Sequence, residues 1–287
     1  MISWPRDLIS DLARRRTVLF LGSGISRNST SSSGRQPKTW LAFLEFLSQT
    51  TNPNRHVKAL IKEKDYLTAC EVLKKAIGRD VFHQQLKDEF LNPAYQHAPI
   101  HEAIFKLDSR IVATPNFDKI YESYANHTAG GSIIVKHHFD PDIAEAIRGT
   151  ARVILKVHGT IDSPERMIFT RKEYAEAREK YRGFYLLLEA LVLTHTFLFL
   201  GCGVNDPDIR LLLEDNFFRH PSSRRHFFIL PEKVLHNSVR NILQESMNLT
   251  MLTYKPAHDH KELSDSICDL IGLVENERDE LKLNGNW

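Results

Sequence analysis

Four short segments carry the polar and glycine residues of this chain that could do chemistry, and each follows an apolar run of strand length. They are Gly22-Ser23-Gly24, Thr114-Pro115-Asn116-Phe117-Asp118, His158-Gly159-Thr160 and Gly201-Cys202-Gly203-Val204-Asn205-Asp206. Glycine lets a strand turn tightly into the next element and lets a phosphate approach the backbone, because no Cβ intervenes. An isolated Gly-x-Gly reads equally as an ordinary turn after a buried strand. The third glycine of the dehydrogenase fingerprint is missing, with Asn28 or Ser29 where it would fall. Asn116 could serve only to cap a following helix, and a lone histidine such as His158 could be a structural residue. Convergence strengthens the set: in an open α/β sheet the carboxyl ends of the strands form the ligand edge, so all four segments would meet at one crevice.

The elements that must position them are legible from periodicity. Apolar runs recur at Val18 to Leu21, Ile111 to Ala113, Ile133 to Val135, Val153 to Val157, Phe197 to Leu200, Phe227 to Leu230 and Met251 to Tyr254. Most are continuous rather than alternating, as expected of parallel strands covered on both faces. Helix-length stretches such as Arg171 to Leu193 and Asp206 to Phe218 separate them, which predicts a Rossmann-like, doubly wound parallel sheet. Between the first two runs, Trp40, Phe43, Leu44 and Leu47, then Tyr66, Ala69, Val72 and Leu73, then Val81, Phe82, Leu86 and Phe90 follow helical spacing. The expected organisation is a discontinuous nucleotide-binding domain over residues 1–38 and 105–274, an inserted helical module over 39–104, and a charged, fraying tail over 275–287. The serine-rich segment Asn28 to Lys38 has the composition of a mobile loop, able either to close over a ligand or to serve as a plain linker.

Composition narrows the function classes. A chain of 287 residues, 42% hydrophobic and 26% charged, has the balance of an ordinary globular protein. Cys70, Cys202 and Cys268 are scattered and odd in number, which gives neither a disulfide framework nor a Cys-x-x-Cys metal site and suits a reducing cytoplasm. A formal charge of +2 is no basis for a nucleic-acid partner. The basic clusters Arg14-Arg15-Arg16 and Arg224-Arg225-His226 each precede an apolar run and read as helix ends or turns. The N-terminus lacks the order of a signal peptide, and Tyr185 to Leu200 is interrupted by Glu189, Thr194, His195 and Thr196, so it reads as a helix running into a strand rather than a membrane span. His97 and His101 are spaced for one helical face but have Pro99 between them and no third ligand, so no metal site is expected.

Together, Gly22-Ser23-Gly24-Ile25-Ser26, Thr114-Pro115-Asn116-Phe117-Asp118 and Lys156-Val157-His158-Gly159 resemble, in the same order, the sirtuin signatures Gly-Ala-Gly-x-Ser, Thr-Gln-Asn-x-Asp and Lys-x-His-Gly. With Pro37 and Trp40, Thr170 to Tyr174 and Gly203 to Ile209 added, the chain from about Thr17 to Leu230 is similar to the sirtuin-like domains of bacterial antiphage defence systems. The resemblance implies NAD+ as substrate, bound across the crevice, with Asn116 and His158 required to break the bond between nicotinamide and ribose. Such cleavage passes through an oxocarbenium-like sugar and gains from polar groups at the ribose and a base near its hydroxyls or an incoming water. Asn116 would then position ribose and water, His158 would act as base, and Asp118 would hold the loop or the nicotinamide end. Gly22, Ser23, Gly24 and Ser26 would meet the phosphates through amides and hydroxyls, and Gly201, Gly203, Asn205 and Asp206 would line the adenosine side.

Two departures from the sirtuin pattern decide the expected activity. The two Cys-x-x-Cys pairs of a zinc ribbon are missing, and a serine-rich loop with Pro37-Lys38-Thr39-Trp40 replaces the usual Gly-Ile-Pro-x-Phe-Arg. Without an acyl-lysine to trap the ribosyl cation, water is the remaining nucleophile. The resemblance therefore implies an NAD+ glycohydrolase that depletes NAD+ in antiphage defence and is held in check by assembly. Expected partners are further copies of the chain and a separately encoded defence protein, a ring-forming translocase-type ATPase being the family precedent. An NAD-dependent protein deacylase and a non-catalytic sensor or scaffold for NAD+ or ADP-ribose are the alternatives.

Overall fold

Seven apolar runs form one sheet in which every neighbouring pair of strands is parallel. The computed structural model describes residues 1–50, 55–204 and 207–285. The strands are β1 (Thr17–Leu21), β2 (Ile111–Thr114), β3 (Ile134–His137), β4 (Val153–Lys156), β5 (Thr196–Leu200), β6 (His226–Pro231) and β7 (Leu249–Tyr254), in the spatial order β3-β4-β2-β1-β5-β6-β7. From β1 the chain moves to one side of the sheet, and from β5 it moves to the other. The direction therefore reverses between β1 and β5, which opens a crevice beyond their carboxyl ends.

Around the sheet lie α1 (Arg6–Ala13), the single turn α2 (Ser23–Ser26), α3 (Trp40–Thr50), α4 (Arg55–Lys62), α5 (Tyr66–Ile77), α6 (Arg79–Phe90), α7 (Pro99–Lys106) and α8 (Ile120–Thr128). They are followed by α9 (Ile143–Arg148), α10 (Arg171–Lys180), α11 (Arg182–Thr194), α12 (Pro207–Arg219), α13 (Asn237–Ser246) and α14 (Ala257–Leu283). Alternate residues of each central strand serve opposite cores, which is why the runs are continuously apolar. Leu19, Leu21, Leu198 and Leu200 pack with α1, α7 and α14, while Val18, Phe20, Phe197 and Phe199 pack with α9, α11 and α12. A third core joins Phe43, Leu47, Ala69, Leu73, Phe82 and Leu86 of α3, α5 and α6 to Ile161, Met167 and Phe169, which follow β4. Those three helices, with Val57 of α4 in the same core, thus sit over the carboxyl end of the sheet.

The structure corrects two expectations. Residues 275–283 are not a fraying tail: they complete α14, whose Leu263, Ile267, Leu270, Val274 and Leu281 are buried on one face at helical spacing. Arg278 in that segment donates to the carbonyls of Leu12, Ala13 and Leu107, satisfying acceptors at the ends of α1 and α7. The serine-rich loop is likewise anchored. Arg35 and Lys38 both pair with the buried Glu89 of α6, and Gln96 N–H donates to Thr30.

Candidate active site

The glycines act first on each other. The N–H groups of Gly22 and Gly24 donate to the carbonyls of Leu200 and Gly201, both at 2.9 Å, so the turns after β1 and β5 are bonded together. A Cβ on Gly22 would lie 2.4 Å from the Gly201 carbonyl oxygen, and one on Gly201, whose φ is +65°, would lie 2.6 Å from the nitrogen of Ile25. Glycine is required here for backbone to meet backbone. Both amides, expected at the phosphates, are bonded to carbonyls of the β5 turn in this structure, and Ser23 and Gly24 are exposed beside that contact.

Three polar side chains form a directed chain behind that contact. Ser26 Oγ donates to Asp118 Oδ2 at 2.8 Å and accepts from Asn116 Nδ2 at 3.0 Å. A carboxylate can only accept, so the serine proton must point to Asp118 and the asparagine NH2 must point to the serine. The Asn116 carbonyl oxygen is thereby turned away from Ser26, on an amide that lines the cavity. Asn116 does not cap a helix: Asp118 Oδ1 accepts from Ile120 N–H at the start of α8. The Ser26 hydroxyl, expected on a phosphate, is held in this chain and lines the cavity.

Lys156, 1% exposed, fixes the loop from below. Its ammonium donates to the Asp118 backbone carbonyl and pairs with Glu122 of α8 at 2.9 Å. The pair is close but poorly aligned, since Glu122 Oε2 makes no hydrogen bond of good geometry among the described residues. Breaking a buried pair by removing one partner typically costs about 3–5 kcal/mol, which makes Lys156 a determinant of loop position.

His158, 4% exposed, enters from the turn after β4. Gly159 permits that turn with φ +91° and a close approach to Arg166 and Met167. The Tyr174 hydroxyl lies 3.4 Å from Nδ1 and 3.3 Å from Nε2 of His158, and the two rings meet edge to face. Tyr174 is set by a capping box at the start of α10, in which Glu173 accepts from the Thr170 and Phe169 amides while Thr170 accepts from Glu173 N–H. Glu173 also pairs with Lys74 of α5, tying this helix start to the overlying helices.

Asn116, Asp118, Ser26, Gly22, Ser23, Gly203, His158 and Tyr174 line one cavity of ≈ 160 Å³. Its roof is aromatic: Trp40 stacks on Phe169 at 5.1 Å, and Phe117 meets Phe169 at 4.4 Å between ring centroids. On the other side of the glycine contact a second cavity of ≈ 190 Å³ is lined by Gly24, Arg27, Gly201, Tyr254, Asp259 and His260, and Cys202 borders both. Its wall includes His258-Asp259-His260, all with positive φ between +53° and +62°, and Tyr254 hydroxyl meets His260 Nδ1 at 2.8 Å. Of the sequence-predicted residues, Asn205 and Asp206 lie outside the described residues. Lys156 and Tyr174 stand in motifs that the sequence singles out without a role for either residue, and Arg27 and the 258–260 turn are lining residues that the sequence reading did not name. The signal for Tyr174 was present in Thr170-x-x-Glu173, a capping box; nothing local marks Arg27 or the turn.

The comparisons with known proteins bear on the family of the chain. Residues 110–252 match a family model described as a SIR2-like domain. The chain is 24% identical over 243 residues to the NAD(+) hydrolase ThsA of Acinetobacter baumannii (strain 532279), covering 84% of this chain and 48% of that protein. It is 24% identical over 286 residues to the Defense-associated sirtuin 2 of Bacillus subtilis, covering 96% of this chain and 27% of that protein. With the Enterococcus faecium NAD(+) hydrolase ThsA it shares 26% identity over 182 residues, 62% of this chain and 37% of that one. The chain thus spans about half the length, or less, of these relatives. With the motifs gathered at the switch point of an all-parallel sheet and the family match extending across β2 to β7, the chain carries a SIR2-like, that is sirtuin-like, domain.

Proposed function

We propose that this cleft binds NAD+ and hydrolyses the bond between nicotinamide and ribose, yielding nicotinamide and ADP-ribose. The observation that carries the reading is the meeting of the oriented Asn116 amide and His158 in one cavity, beside the crevice where the sheet reverses direction. The two cavities flanking the Gly22–Gly201 contact suit a dinucleotide lying across it. Nicotinamide and its ribose occupy the aromatic-roofed cavity and adenosine the other, with the pyrophosphate passing near Ser23 and Arg27. Gly201 makes the backbone contact between the two halves and also lines the cavity given to adenosine.

In this reading C1′–N cleavage leaves the electron pair on the nicotinamide nitrogen, cancelling its positive charge. The ribosyl cation is stabilised by the Asn116 carbonyl oxygen, a dipole whose direction is already fixed and needs no reorganisation. Water then bonds to C1′ while His158 takes its proton and returns it to solvent. Trp40, Phe117 and Phe169 limit bulk water to the molecule that reacts. The names of the relatives, NAD(+) hydrolase and Defense-associated sirtuin, support the extension to an NAD+-depleting defence effector. An unchecked hydrolase would exhaust the cell's NAD+, so assembly with other copies or a partner is part of the proposal. Helix α13, which buries no residue and exposes Val239 and Ile242, is a suitable surface for it.

The test is nicotinamide release from NAD+ by the purified chain, alone and with the protein encoded beside it, without any acyl peptide. Asn116→Ala and His158→Ala are each expected to slow it by about 10²- to 10⁴-fold. Strict dependence on an acyl-lysine peptide would instead establish a deacylase. Biological activity undiminished in both variants would establish a binding protein.

A further inference from the structure

The cavity on the β5 side of the glycine contact carries opposite charges that are not paired with each other. Arg27, directly after α2, supplies a cation, and Asp259, in the kinked first turn of α14, supplies a carboxylate. Both are exposed, and among the described residues neither side chain has an ion pair or hydrogen bond. The inner wall is of another kind. Ile229, Tyr254 and Leu263 line it and are at most 5% exposed, so the cavity is apolar within and charged at its mouth.

The fold holds Asp259 in place from both sides. His258, Asp259 and His260 have φ of +53°, +53° and +62°, in the left-handed region. Residues other than glycine rarely adopt it, and three in succession persist only where their neighbours over-determine them. Across the turn, Lys255 N–H donates to Glu262 Oε2 at 3.3 Å, and the Tyr254 hydroxyl meets His260 Nδ1 at 2.8 Å. Tyr254 is the last residue of β7, so the turn is tied to the carboxyl edge of the sheet, where the crevice lies.

We infer that Asp259 makes this site select an adenosine whose ribose has a free 2′-hydroxyl, NAD+ rather than NADP+. The inference rests on the proposed placement of NAD+ across the Gly22–Gly201 contact. An adenine base takes the apolar inner wall, which leaves its ribose at the mouth where Asp259 stands. A carboxylate can only accept, so it bonds to ribose hydroxyls and repels a phosphate that replaces one of them. Arg27 cannot discriminate in this way, because a guanidinium binds a pyrophosphate and a 2′-phosphate alike. Selection therefore falls to the carboxylate.

The experiment is calorimetric titration of the full chain with ADP-ribose and with ADP-ribose 2′-phosphate, neither of which holds a nicotinamide bond to cleave. The wild type is expected to bind ADP-ribose at least about thirtyfold more tightly than its 2′-phosphate. Asp259→Asn removes the charge, tolerates a left-handed backbone and leaves no partner unsatisfied, so its melting temperature should match the wild type. In that variant the preference is expected to shrink to about threefold or less, mainly through tighter binding of the 2′-phosphate. Equal affinities in the wild type, an unchanged ratio in Asp259→Asn, or no detectable binding of ADP-ribose would overturn the inference. Nicotinamide release separates it from the hydrolysis on which it rests. Selective ADP-ribose binding without release from NAD+ would overturn the hydrolysis and leave the assignment of Asp259 standing, whereas equal release from NAD+ and NADP+ would do the reverse.

Discussion

Asp118 governs direction at the centre of the cleft, because an acceptor that cannot donate fixes first the Ser26 proton and then the Asn116 amide. Asp118→Asn keeps the shape but lets the chain run either way. Its expected effect is a kcat for nicotinamide release about 10²-fold lower with KM little changed, because a misoriented dipole costs catalysis rather than binding. Steady-state kinetics at fixed pH checks this. The glycines provide a matched pair of stability tests. Gly22→Ala forces a Cβ to 2.4 Å from the Gly201 carbonyl oxygen and should cost about 1–3 kcal/mol or more, whereas Gly203→Ala, with no atom within 4 Å, should stay within about 0.5 kcal/mol. Urea midpoints compared at constant m separate the two. The meeting of these residues was legible from their types and places after the strands: Asn116, Asp118 and His158 do share one cavity. The division of labour was not, because a glycine that admits a phosphate and one that admits a neighbouring carbonyl look identical in sequence.

At the scale of elements, β6 begins with a histidine that must stay neutral. His226 is 4% exposed, accepts Phe197 N–H on Nδ1, and burial lowers its pKa from 6.5 to about 4. The unfolded chain therefore binds a proton before the folded one does. Its contribution is intact above pH about 6.5 and is lost as pH falls toward 4, by up to roughly 3 kcal/mol. His101 in α7, also buried and lowered to about 4, adds a change of the same sign. His226→Asn can keep the acceptor and cannot titrate, so its stability between pH 7 and 4.5 should fall less steeply than wild type in urea titrations at each pH. The anchored loop offers a second test at this scale. Glu89 is 2% exposed and holds Arg35 and Lys38, so Glu89→Ala, which leaves two partly exposed cations to solvent, should cost about 1–3 kcal/mol while opening residues 28–38 to limited proteolysis. Serine-rich composition signalled a loop and could not signal its anchor, which lies in α6 far along the chain.

The whole molecule is held together where the helices α3 to α6 meet the segment after β4. Phe169 belongs to that shared core and stacks on Trp40, so Phe169→Ala should cost about 3–5 kcal/mol. Because this core is shared, one cooperative urea transition is expected, seen alike by tryptophan fluorescence and circular dichroism. Two separated transitions would show instead that the helices form an independent unit. Among the described residues no helix is long and apolar enough to cross a membrane. Sequence alone determined the parallel sheet, because strands buried on both faces must be apolar throughout. It also determined the four ligand-edge segments, because turn chemistry is local. Tertiary structure alone decided which glycine amides are spent, which way Asn116 points, that residues 275–283 pack as helix, and that Glu89 anchors the serine-rich loop. Each of these depends on contacts between residues distant in sequence, and strand order, which sets those contacts, leaves no mark on local periodicity.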